Sequence, residues 1–223
     1  MLPGGAAEVH WRRSDRARKV SLRIDPRGGR VVVTLPTKAS RQSGLQLLLA
    51  HAAWVQARLA ALPRLVLFVD GAQVPLNGVA HRIVHIAGGR GVQIADGAIH
   101  VSGGAEFLPR RVKDFFRAEA RRQLATLAVA KAGNVGVAPR RVSVKDTSSR
   151  WGSCTSQRDL AFSWRLVMAP GFVQDYVVAH EVAHLRHMNH SAAFWGLVDT
   201  LTEHREPAIG WLRREGAQLM RIG

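Results

Sequence analysis

"VVAHEVAHLRHMNHSAAFW", residues 177–195, gathers four of the chain's ten histidines into eleven positions, His180, His184, His187 and His190, with Glu181 directly after the first. Phe172, Val173, Tyr176, Val177, Val178, Val182 and Leu185 make the surrounding segment apolar nearly all round, which predicts a buried helix over 172–187. Imidazoles and a carboxylate inside such a helix cost free energy unless they are paired or bind a cation. Their spacing offers the second option. His180 and His184 share one face of a helix, about 6 Å apart along its axis, so both can reach a single metal ion. Glu181 is offset by roughly 100° and flanks these ligands, the placement of a base acting on water.

The third ligand is harder to assign. On a continued helix His187 shares the face of His180 but lies roughly 10 Å further along the axis, beyond reach of the same ion. His190 would point about 240° round from His184, and it becomes a ligand only if the helix ends before it. Asn189 tolerates the left-handed backbone used at helix C-termini, and Ser191 is suited to N-cap a following helix over 192–203. The expected trio is therefore His180, His184 and His190, with His187 capping the helix end or lying at the rim. Three protein ligands leave a fourth position for water or substrate, the layout of a catalytic site holding one Zn2+ per chain. Zinc lowers the pKa of bound water toward about 7; Glu181 would take its proton during attack on a carbonyl and pass it to the leaving amine.

Composition sets limits around this site. The 223 residues are 47% hydrophobic, enough for a core. No run of about 18 apolar residues marks a membrane span, and the first twenty residues lack a signal peptide's apolar region. The single cysteine, Cys154, excludes an internal disulfide framework, and its expected role is structural or incidental. These features predict a cytoplasmic protein with no membrane partner. The net charge of +16 is spread over both halves: residues 1–105 carry 14 basic and 5 acidic side chains, residues 106–223 carry 18 and 11. Such an excess attracts nucleic acid or another phosphate-rich ligand, but a solvated arginine-rich surface is the favoured account of it.

The first hundred residues read as β-rich. Val20, Leu22 and Ile24 alternate, a turn follows at 26–29, and 31–35 completes a hairpin. "SGLQLLLAHAAWVQARLAAL" (43–62) predicts one amphipathic helix, stopped by Pro63. Short strands are expected at 65–69, 73–76, 81–86, 92–95 and 98–101; His81, His85 and His100 fall in them without a spacing that unites them. "SGGAEFLP" (102–109) separates a β-rich N-terminal region with one helix, 1–105, from a second domain, 106–223. Pro109 opens a helix expected to run to about 132, with Gly133 as its stop. Strands at 141–147 and 160–167 flank a turn at 156–159, so the fold class is α+β.

"RWGSCTSQRDLAFSWRLVMAP" (150–170) followed by "DYVVAHEVAHLRHMNHSAAFW" (175–195) resembles the YgjP-like branch of the SprT-type zincin metallopeptidases. "RRSDRARKVSLRIDPRGGRVVVTLP" (12–36) resembles that family's opening β-region. The resemblance implies a zincin-like catalytic domain behind a β-rich region, zinc on His180, His184 and His190, and Glu181 as base. It also implies that the strand region from Trp151 to Trp164 borders the cleft and pairs with an extended peptide, which makes Trp151, Gly152 and Ser153 candidate substrate-binding residues. His187 stands where a metzincin has its turn glycine, and Met220 lies in a helical tail, so the turn geometry should differ from that of a metzincin. The expected activity is peptide-bond hydrolysis on a peptide or protein substrate. The alternatives are a metal-dependent nucleoside triphosphate hydrolase, a protease acting on nucleic-acid-bound proteins, and a binding protein in which the metal only staples the fold.

Overall fold

Residues 8–223 are described by a computed structural model, in which the chain forms two compact units, one ending at Leu65 and one spanning Val66–Gly223. In the first, β1 (Val9–Ser14), β2 (Ser21–Asp25) and β3 (Arg30–Pro36) form a sheet in the order β1-β3-β2. The expected hairpin is β2–β3, antiparallel; β1, which the alternation did not reveal, pairs parallel to β3. Ser40 then N-caps α1 (Arg41–Ala50), its side chain accepting from the Ser43 N–H. The single helix expected over 43–62 is instead two, because His51 at φ −110°, ψ 20° separates α1 from α2 (Ala52–Ala60). Packing decides here over local propensity: Leu48 of α1 and Val55 of α2 both bury with Val31, Val33 and Leu35.

The second unit opens with β4 (Gln73–Leu76), β5 (Val79–Ile86), β6 (Val92–Ala95) and β7 (Ala98–Ser102), ordered β4-β5-β7-β6. Asn77 and Gly78 both have positive φ, as a two-residue primed hairpin turn requires. The strand expected at 65–69 does not form; Val66 makes only a bridge to Ile222. Helix α3 (Leu108–Val135) begins with Pro109 as expected but runs through Gly133. Its stop is Gly136, whose φ of 69° supplies the left-handed C-terminal residue, while Arg186 donates through Nε (2.8 Å) to the end carbonyl of Val135. Next come β8 (Arg141–Lys145), β9 (Gly152–Cys154) and β10 (Asp159–Ser163), ordered β8-β10-β9, with β10 parallel to β8 and antiparallel to β9. The strand expected to continue to 167 ends at Ser163 and passes into a short 3-10 helix, Trp164–Met168.

Helices α4 (Gly171–Ala183), α5 (Ala192–Leu201) and α6 (Arg205–Leu219) complete a mixed α+β architecture. The stripe Val112, Phe116, Ala120, Leu124 and Ala128 on α3 is fully buried, in one core with Phe68, Ile83, Ile99, Leu160, Phe162 and the apolar residues of α4. Lys131, also buried, pairs with Asp175 of α4 at 2.7 Å and donates to the Leu201 carbonyl of α5 at 2.6 Å. A charge removed from water in this way is tolerated because its donors find partners, and it ties three helices around the histidine segment. No helix among the described residues is long and apolar enough to cross a membrane.

Candidate metal centre

α4 ends at Ala183, earlier than the 187 expected from periodicity. The N–H groups of Leu185 and Arg186 turn back to Val182 (2.9 Å) and Ala183 (3.1 Å), three residues behind them, and His187 donates to Ala183 at 3.0 Å. This tightened last turn releases the chain without a left-handed residue. Asn189, expected to supply one, is not among the positive-φ residues. Ser191 does N-cap α5, accepting from Phe194 N–H.

The chain thus doubles back and brings His190 to the other two imidazoles. Ring centroids lie 5.0 Å apart for His180–His184, 5.2 Å for His180–His190 and 4.8 Å for His184–His190. One nitrogen from each lies within 4.8 Å of those of the others, and among the described residues this is the one group of three or more histidine, cysteine or acidic side chains so placed. His184 donates from Nδ1 to the His187 carbonyl at 2.9 Å, which leaves Nε2 as its free lone pair. The Nε2 atoms of His180 and His190 face each other at 3.3 Å. Burial pushes His180 down to about 4, with the charges of His184 and His190 adding to the effect, and burial also lowers His184. Three imidazole nitrogens gathered this closely can share one cation. The donor set therefore fits a divalent ion, and three nitrogens leave it open to a further ligand.

Phe194 is the wall behind this trio. Its buried ring lies 5.0, 4.5 and 4.8 Å from the rings of His180, His184 and His190, and Trp195 stacks on His190 at 5.7 Å. The aromatic pair just after a histidine cluster is the sequence signal for this role. His187 contributes its backbone, not its ring, while His81 and His85 bond locally to the carbonyls of Val79 and Gly103. His190→Ala should therefore lower metal affinity by more than the roughly 10–100-fold typical of losing an outer partner. His187→Ala should leave it near the parent value; metal titration with a chromophoric competitor reads both.

Glu181 is 7% exposed, and burial pushes its carboxyl up to about 7 against the opposing charge of Arg150. It lines a cleft of about 360 Å³ with the three histidines, Gly152, Ser153 and Cys154. Trp151, expected with Gly152 and Ser153 to bind substrate, is not among the residues lining that cleft; its ring lies against α6, 3.4 Å from where a Cβ on Gly216 would lie. Gly152 makes the closest approach. A Cβ there would lie 2.5 Å from Glu181 Cγ and 2.6 Å from Oε1, so only glycine lets β9 pass this carboxylate. Gly152→Ala must displace Glu181, and since misplacing a reacting group by about 1 Å can cost 10²-fold, turnover should fall on that order; steady-state kinetics with metal content measured in parallel checks it. Cys154 lines the same cleft, its thiol pushed up to about 11 first by burial, and it does not join the group of converging ligand atoms.

Among curated proteins and among solved structures, no match to the chain was found. A family model for the YgjP-like metallopeptidase domain matches residues 18–215, which takes in the β2–β3 hairpin, all three histidines and Glu181. On that match, spanning most of its length, the chain belongs to the YgjP-like metallopeptidase family.

Proposed function

We propose that the chain is a zinc-dependent peptidase in which His180, His184 and His190 would hold the ion and Glu181 would move the proton. The observation that carries this reading is the convergence of three imidazoles beside a buried carboxylate, next to a strand that ends its sheet among the described residues. A bound zinc ion supplies Lewis acidity toward a carbonyl oxygen and toward water. The chain's own residues do the rest. β9 ends its sheet, so its outer edge offers backbone donors and acceptors to an extended peptide laid beside Glu181. Glu181 accepts a proton from water as the C–O bond forms, then delivers it to the amine as the C–N bond breaks. Gly152 keeps that carboxylate within reach of the bound peptide, and Phe194 with Trp195 fixes the imidazole planes. Arg150 adds the positive charge at the cleft.

The test is exposure of a defined mixture of unstructured peptides to zinc-loaded protein, with products read by mass spectrometry. New termini that vanish with a chelator and return with zinc are expected. Intact peptides alongside chelator-sensitive hydrolysis of nucleoside triphosphates would overturn the reading.

A further inference from the structure

The sheet β8-β10-β9 has an inner and an outer face. Leu160 and Phe162 of β10 point into the core. The alternate residues are in register across the strands on the other side, with Arg141 opposite Asp159, and Ser143 and Ser153 both opposite Ala161. This outer face carries a cavity of about 270 Å³, lined by Arg141, Ser143, Lys145, Ser153, Thr155 and Asp159. Ser153 lines both this cavity and the cleft that holds Glu181, so β9 is the wall between two adjoining spaces.

The charge of the cavity is positive. Arg141 and Lys145 are exposed and make no ion pair or side-chain hydrogen bond among the described residues. The one carboxylate, Asp159, is held by Arg140, which donates from Nε at 2.9 Å and from Nη2, and it is lowered below the usual carboxylate range chiefly by that bond, with the charges of Arg140, Arg141 and Lys145 adding to it. A peptide paired on the free edge of β9 extends the sheet by one strand, and its alternate side chains rise on this outer face. One about 4.8 Å beyond β9 would lie next to Ser153, which shares the cavity lining with Arg141 and Lys145 of β8. Nucleic acid needs a track of cations along its backbone; here two cations and the hydroxyls of Ser143, Ser153 and Thr155 line one small, half-open cavity, which suits a single carboxylate.

Building on the peptidase reading, we infer that this cavity is a specificity subsite for an acidic side chain of the substrate, recognised by Arg141 and Lys145. The test uses the full-length, zinc-loaded protein and a set of fluorogenic peptides of one parent sequence, in which a single glutamate replaces glutamine at successive positions. At one position the glutamate peptide should exceed its glutamine twin by about tenfold in kcat/KM, the scale of a charge-assisted contact. That ratio should fall to near one in R141Q/K145Q and persist in R141K/K145R. A ratio unchanged in R141Q/K145Q, or no positional preference at all, overturns the subsite. Binding of the same peptides to the metal-free protein, read by fluorescence anisotropy, separates the two levels. Glutamate-selective binding that R141Q/K145Q abolishes, with no cleavage by any form, keeps the subsite and removes the peptidase reading. Tighter binding of a dT12 oligonucleotide that R141Q/K145Q alone abolishes, with peptide binding unmoved, assigns the cavity to nucleic acid and overturns the inference.

Discussion

Glu181→Gln is expected to lower kcat by about 10²–10⁴-fold, the range for losing a positioned general base, while KM and bound metal stay near the parent values. The substitution keeps the side chain's size, so the close packing against Gly152 is undisturbed. It removes only the capacity to take a proton. Glu181→Ala would also empty a buried volume and confuse the two effects. Because the imidazoles reach one another without the carboxylate, metal stoichiometry by mass spectrometry should not move. Loss of the metal together with activity would show that Glu181 holds the site together instead of acting in the reaction. Full activity with full metal would remove it from the reaction altogether. Gly152→Ala offers an independent check, since it shifts the same carboxylate without altering its chemistry. Two changes that act through one group are not additive, so the double variant should be scarcely slower than Glu181→Gln alone.

The histidine trio was legible because helix geometry converts spacing directly into position. A gap of four fixes His180 against His184, and the impossibility of His190 on a straight helix calls for the turn that is found. The manner of that turn was not legible. Asn189 carried a left-handed propensity, but the chain escaped earlier through hydrogen bonds three residues back at 185 and 186, which leave no signature in residue type. β9, implied by the family resemblance, was hidden from alternation for a different reason. It is three residues long and contains a glycine, so alternation has nothing to act on; it exists through its partner β10. The approach of Gly152 to Glu181 joins positions far apart in the chain, and the wall formed by Phe194 exists only once α5 folds back. Where local chemistry dominates, as at Ser191 and Pro109, sequence and structure agree. Where packing chooses between near-equal local options, as at His51 and Gly133, they part.

Arg165→Met should be among the most destabilising single changes in the chain. Arg165 is fully buried, within the apolar run 164–169. Its Nη1 donates to Asp146 Oδ1 at 2.6 Å, its Nε to the Ile222 carbonyl at 3.0 Å and its Nη2 to the Gly223 carbonyl at 3.1 Å, and its guanidinium lies 4.1 Å over the Trp164 ring. Methionine fills much of the space but leaves these acceptors without their buried donor. Breaking a buried pair from one side costs about 3–5 kcal/mol. At about 2–4 °C per kcal/mol for a unit of this size, the melting temperature should drop by about 10 °C. Asp146 keeps Lys113 at 3.2 Å and the Trp164 indole N–H at 2.8 Å, which points to the lower part of that range. Calorimetry should be run on metal-free protein, because a ligand that binds only the folded state masks part of the loss. A change under about 1 kcal/mol, the scale of an exposed pair, would mean that the carbonyls and Asp146 find water instead. The same network bears on the site. Asp146 starts the segment that leads through Thr147, bonded to the Arg150 carbonyl at 2.7 Å, into β9, and the Trp151 carbonyl accepts from Ser163 N–H at 2.8 Å. Arg165 therefore anchors the loop that sets Gly152 against Glu181, and Arg165→Met should lower kcat even at temperatures where the protein remains folded.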